Sequence, residues 1–185
     1  MYHRLEILGV FINTRLFCFF IAFFCAALIG AALYFQHFQN LMPCPLCMFQ
    51  RVFVVAFGVL LFVKALHHPL ATSWSQWVYY SLGTLIAGTG AGIAMRHVYL
   101  KGLPPDQVPT CGGSLDYMMD IMPVFEVIAK VLRGSSSCAD DDGWYFLGLN
   151  MPEWMSVIFV GLLMGSLFGF WATFRARQRA QLQSS

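Results

Sequence analysis

In the stretch LMPCPLCMFQR, residues 41–51, Cys44 and Cys47 stand three positions apart and Arg51 follows four positions after the second cysteine. Two thiols at this spacing close a strained, readily reduced disulfide when the second one opens a helix, which is the chemistry of a couple that accepts and passes on two electrons. Pro45 is favoured at the first helical position and biases Cys44 towards an extended backbone. Cys47 then falls near the third helical position, where the positive end of the helix and its unpaired N–H groups favour the thiolate. Arg51 lies one turn further on the same face and adds a fixed positive charge. An ionisable residue in otherwise apolar sequence is a functional candidate first and a snorkelling anchor second. Such a cation can hold a thiolate and the negative charge that develops on an electron acceptor.

The elements that must position these groups are apolar. Of the 185 residues 58% are hydrophobic and 11% charged, with a mean hydropathy of +0.65, too little polar surface to cover a soluble core of this size. Four stretches, 16–35, 46–66, 77–95 and 154–174, each have the length that crosses about 30 Å of hydrocarbon as a helix. The expected fold is therefore all-α: one integral-membrane domain over residues 1–185, a four-helix bundle with redox connections over about 36–47 and 96–153. The first stretch is long for a signal peptide and no convincing cleavage site follows it before Pro43, so it is expected to stay as a helix.

Basic residues set the orientation. Arg4, Arg15, Lys64, Arg175, Arg177 and Arg179 share one side with a single acid, Glu6, whereas Arg51, Arg96, Lys101, Lys130 and Arg133 share the other with the remaining eight acids. Both termini are expected in the cytoplasm, with the 36–51 and 96–153 connections outside. Cys44, Cys47, Cys111 and Cys138 all fall on the outward side, which in a bacterial-type inner membrane is oxidising, and an even set there reads as disulfide chemistry. Cys18 and Cys25 lie seven apart within the first helix and read as small buried hydrophobes. His67 and His68, adjacent and before Pro69, read as a solvated cytoplasmic loop.

The long outward connection carries LDYMMDIMPVFEVIAKVL, in which Met118, Ile121, Met122, Phe125, Ile128, Ala129 and Leu132 recur at helical spacing. Pro123 is expected to start a second helical piece. Too short and too charged to span, the segment is expected to lie as an amphipathic helix on the outer membrane surface. Gly112-Gly113 and Gly134-Ser135-Ser136-Ser137 flank Cys111 and Cys138 and provide hinges for thiols that change partners.

YFQHFQNLMPCPLCMFQR resembles the first outward loop of the disulfide bond formation protein B (DsbB) family, and SSCADDDGWYFLGLNMPEW resembles the segment that leads into that family's fourth helix. The likeness covers nearly the whole chain; Pro45, Leu46 and Gln50 are the residues this chain carries within the dithiol and before Arg51. The resemblance implies an enzyme that re-oxidises a periplasmic thioredoxin-fold oxidase, DsbA-like, and sends the electrons to a membrane quinone, ubiquinone or menaquinone. It further implies roles. Cys111 engages the partner as a mixed disulfide; Cys138 pairs with Cys111 at rest and exchanges with Cys44; Cys47 is left as the thiolate facing the quinone with Arg51 beside it. His97, in MRHVYL, matches a position that lines the quinone pocket. The expected partners are that oxidase, membrane lipid and the quinone pool, with no nucleic acid and no metal.

Other classes also accommodate the cysteines. A four-cysteine zinc site is tetrahedral and redox-inert, but the oxidising side and the 26 residues between Cys111 and Cys138 count against it. Two static disulfides would staple the outer loops without exchanging with a partner dithiol. A vitamin K epoxide reductase-like enzyme also combines four helices, C-x-x-C and a quinone, but the flanking motifs fit DsbB better.

Overall fold

The computed structural model describes residues 2–38, 43–67, 74–103, 115–133 and 145–184. Cys111 and Cys138 with their flanking glycines and serines, and His68 with Pro69, lie outside the described residues. The chain forms α1 (Tyr2–Phe38), α2 (Pro45–His67), α3 (Trp74–Lys101), α4 (Leu115–Ile121), α5 (Val124–Arg133), a hairpin of β1 (Tyr145–Phe146) and β2 (Leu149–Asn150), and α6 (Met151–Ser184). The architecture is all-α, the hairpin apart. Four segments are long and apolar enough to cross a membrane: Arg15–Phe38, Pro45–His67, Trp74–Lys101 and Met151–Gln178. Their outer faces carry large side chains such as Phe20, Phe23, Leu85 and Phe168, each about two-thirds exposed or more. Hydrocarbon, not water, is the solvent that such a surface suits.

Every spanning helix outruns the apolar stretch that marks it. Backbone pairing continues until something caps it, so the 36–47 connection shrinks to 39–44 and the 96–153 connection to 102–150. At α6 the cap is reciprocal: Glu153 N–H donates to Asn150 Oδ1 at 3.3 Å, and Asn150 N–H donates to Glu153 Oε2 at 2.8 Å. This capping box starts the helix at Met151, ahead of the expected residue 154. The hairpin before it turns through Leu147 (φ 53°) and Gly148 (φ 80°), the twist of a two-residue mirror-image turn. Leucine in that region costs on the order of 1–2 kcal/mol. The Trp154 indole N–H, which donates to Phe146 O at 2.9 Å, ties the strained turn back onto α6.

The spanning helices pack in series: α1 on α2, α2 on α3, and α3 most extensively on α6. Among the described residues, α1 and α6, the two ends of the series, make no comparably close backbone approach. α3 approaches its neighbours closely because its inner face is small: Gly83, Ala87, Gly90, Ala91 and Ala94 are buried. In place of the steric interlock of large side chains, helices in lipid use such residues to bring backbones together. The Phe159 ring of α6 lies over Gly90 so tightly that a Cβ there would overlap it, and Tyr80 occupies the equivalent space at Gly169. The mid-bundle core is Cys25, Val54, Phe57, Ala87, Ala91, Ala94 and Phe159. Cys25 is thus a core residue, and Cys18 is buried likewise. At the end away from the dithiol, Lys64 is buried with Nζ 3.5 Å above the Tyr80 ring, a cation–π contact. His67 shares a hydrogen bond with Tyr79 Oη at 3.0 Å instead of facing solvent alone.

α4 and α5 break at Pro123 as expected, but their two sides divide differently from the single stripe read in the sequence. Met118, Val127 and Val131 are buried against Cys44, Leu46, Ile93 and Leu100, with Met122 partly so. Ile121, Val124 and Phe125 are exposed, Phe125 at 83%. Both faces carry apolar residues: one covers the dithiol and the other is exposed. Arg96 Nε–H, donating to Leu132 O at 3.4 Å, fastens α5 to α3.

Candidate functional site

The N-terminus of α2 forms around the dithiol. Pro45 is its first residue and Cys44 its N-cap, for the Cys44 carbonyl accepts from Met48 N–H at 3.2 Å. Cys44 Sγ accepts from Cys47 N–H at 3.4 Å, the bond that an N-cap side chain makes to the third helical residue. The two sulfurs stand 3.1 Å apart, with Cys44 donating to Cys47. That separation is about an ångström beyond a disulfide bond. The pair is in its dithiol form, and closure requires only a small movement. Cys44 is buried and Cys47 half-buried.

His97 arrives from α3. It continues the small-residue face (positions 83, 87, 90, 94 and 97), which turns it inward, and it is 3% exposed. Its Nε2 is 3.7 Å from Cys44 Sγ and its Nδ1 is 3.9 Å from Cys47 Sγ. The imidazole therefore spans the dithiol. Gln50, also buried, places its Nε2 3.4 Å from His97 Nδ1. An amide nitrogen only donates, so Nδ1 accepts and the ring proton sits on Nε2, facing the Cys44 sulfur.

Arg51 is turned towards α1. Its guanidinium donates through Nη1 to Gln36 Oε1 at 2.6 Å and through Nη2 to Ala32 O at 3.3 Å; Nη1 also reaches Met48 Sδ at 4.0 Å. The short bond to Gln36 is charge-assisted and of the stronger kind. It crosses between helices and fixes the cation at the rim of the site.

The two cysteines, Gln36, Gln50, Arg51 and His97 line one cavity of about 510 Å³, within the size range of small-molecule sites. α1 contributes Phe24, Leu28, Phe35 and Gln36; α2 contributes Cys47, Gln50 and Arg51; His97 comes from α3; Phe146 of the hairpin and Trp154, Met155 and Ile158 of α6 complete the wall. The cavity draws its wall from all four spanning helices. It is apolar over most of its wall, with two amides, a cation, an imidazole and two sulfurs gathered at one end.

Four of the six expected site residues, Cys44, Cys47, Arg51 and His97, thus converge, while Cys111 and Cys138 lie outside the described residues. Two polar residues were missed, Gln36 and Gln50. Gln50 carries a sequence signal, since i+3 from Cys47 puts it on the same face of an apolar helix. Gln36 carries one only in retrospect, as a polar residue near the end of the first apolar run.

The family model described as Disulfide bond formation protein DsbB matches residues 14–169. Among relatives named Disulfide bond formation protein B, that of Methylococcus capsulatus is 46% identical over 155 residues, 83% of this chain and 93% of its own length. The one from Nitrosococcus oceani is 47% identical over 151 residues, 81% and 88% of the two chains. The Chromobacterium violaceum protein is 42% identical over 161 residues, 87% and 95%.

Proposed function

The chain belongs to the disulfide bond formation protein B family, and from that premise we propose that it re-oxidises a DsbA-like periplasmic thiol oxidase and delivers the electrons to a membrane quinone, ubiquinone or menaquinone. Disulfide formation in bacteria is the family's role; the partner, the acceptor and the residue roles are our reading. The observation that carries it is the meeting of a C-x-x-C dithiol, a cation and an imidazole at the end of an apolar cavity between membrane-spanning helices. In this reading the site lies at the outer face of the inner membrane and both termini are cytoplasmic.

The relay is a sequence of thiol–disulfide exchanges. A partner thiolate attacks the Cys111–Cys138 disulfide, and the partner's second thiol resolves the mixed disulfide, leaving Cys111 and Cys138 reduced. Cys138 then attacks Cys44 of the Cys44–Cys47 disulfide and Cys47 departs as a thiolate. Attack by Cys111 on the Cys44–Cys138 bond restores the loop disulfide and leaves Cys44 reduced. The departing Cys47 stands at the third position of α2, where the helix favours its charge. The protonated Nε2 of His97 can hydrogen-bond a Cys44 thiolate, and Gln50 keeps that tautomer.

The cavity fits a quinone ring: the walls from α1 and α6 are apolar, and Gln36, Arg51 and His97 bring polar groups to the dithiol end. A quinone held there would supply a two-electron, two-proton acceptor for the dithiol. The aromatic walls exclude water, and Arg51 holds positive charge where electrons leave the protein.

The test is quinone reduction by the purified protein with reduced DsbA-like oxidase, in ubiquinone and in menaquinone. Turnover is expected with at least one of them. Serine at Cys44, Cys47, Cys111 or Cys138 is expected to abolish it, while Cys18→Ser and Cys25→Ser retain most of it. Full activity in Cys138→Ser would remove the relay, and no reduction of either quinone would remove the acceptor.

A further inference from the structure

We infer that the reduced Cys44–Cys47 pair and His97 form a capture site for a thiophilic divalent cation, zinc, which arrests the protein in its dithiol form. These are the three metal-binding side chains whose ligand atoms gather among the described residues, all within 4.8 Å of one another. Tetrahedral zinc with bonds of about 2.3 Å to sulfur and 2.0–2.1 Å to nitrogen separates its ligand atoms by roughly 3.5–3.8 Å. Cys44 Sγ and His97 Nε2 already stand 3.7 Å apart, and the sulfurs need to open from 3.1 Å by less than an ångström. Cys47 is half-buried and lines the cavity, so its side chain has room to make that movement.

Charge balance and the Gln50 contact to His97 favour the same ion. Two thiolates, a neutral imidazole and a dication sum to zero, so the buried end of the cavity takes up no net charge. Ligation through Nε2 moves the ring proton to Nδ1. A half-turn of the Gln50 amide then presents its oxygen to receive that proton, the outer contact that metal-bound histidines usually have. The fourth position opens on the cavity and is filled by water. Capture breaks two S–H bonds, forms two Zn–S bonds and one Zn–N bond, releases two protons to solvent and changes no oxidation state. The disulfide form has no thiolate to offer, so zinc binds only the reduced pair and competes with its re-oxidation.

The inference rests on the reading of Cys44–Cys47 as a couple that passes through a dithiol, and its test uses no turnover, so the two can fail separately. The protein is the full chain with Cys111→Ser and Cys138→Ser, reduced, freed of reductant and titrated with zinc against a chromophoric chelator. Cobalt serves as a second probe, through its thiolate charge-transfer absorption. One zinc per chain is expected when reduced and none when oxidised, with two protons released. Gln50→Leu should weaken binding about tenfold, His97→Ala by more, and Cys47→Ser should abolish the cobalt band. His97→Gln, which keeps a polar side chain of similar size, stands in if His97→Ala does not fold, and the same loss is expected. Equal uptake by the oxidised protein, or affinity unchanged by loss of His97, overturns the site.

Discussion

Arg51 illustrates how much a side chain's function depends on its second partner. Its charge is fixed by chemistry, but its place is fixed by Gln36 and Ala32 on another helix. A hydrogen bond to a charged group contributes about 1.5–3 kcal/mol. If half of that is felt when electrons leave the dithiol, Gln36→Leu slows quinone reduction roughly three- to tenfold, 1.4 kcal/mol being tenfold in rate. Arg51→Ala is expected to lose more, raising the apparent KM for quinone and lowering kcat, and Arg51→Lys should fall between because an ammonium cannot reproduce the planar fork. Mixed-disulfide formation with the partner, measured in a single turnover, should be nearly unchanged in all three. Wild-type quinone kinetics in Arg51→Ala would reduce the arginine to an anchor.

At the scale of elements, the two short helices of the long connection present two distinct faces, one packed at the dithiol and one exposed. Phe125 is expected to tolerate aspartate with the fold intact while the segment binds lipid vesicles less well. Val131→Asp is expected to be far more damaging, because it buries an unpaired charge beside Cys44 and Leu46 and costs several kcal/mol. The measurement is the rate of exchange between the loop and helix dithiols; equal effects of the two variants would mean that the faces are not distinct. The sequence showed these helices and their break at Pro123 but not which side meets protein, because residues on both sides are apolar and periodicity cannot rank them. The start of α2 was legible for the opposite reason: a proline at the first helical position and a C-x-x-C are both local. The depth of His97 is encoded in the spacing of small residues along α3. The Gln36–Arg51 and Gln50–His97 contacts are not locally encoded, since each depends on how one helix is rotated against another.

For the molecule as a whole, α3 is the shared element: it carries His97 against the dithiol at the start of α2 and packs most extensively on α6. Gly90→Ala forces the Phe159 ring aside, and overpacking of this kind costs about 1–3 kcal/mol. Thermal stability in detergent should fall accordingly, and adding Phe159→Leu should restore part of it, as contacting residues couple; strictly additive losses would show that the two do not compete for space. Orientation is tested by fusing a reporter that works only outside the cytoplasm. Activity after Gln39 or Gly134 and none after Pro69 is expected from the basic residues, and activity after Pro69 would reverse the assignment of every cysteine. The apolar cavity between the spanning helices has a kinetic consequence. A reactant entering there comes from the oil phase, so the concentration that governs the rate is its mole fraction in lipid or detergent and not its amount per volume of buffer. At fixed total quinone, adding detergent or lipid should raise the apparent KM in proportion, and curves taken at different dilutions should superimpose once the axis is quinone per amphiphile.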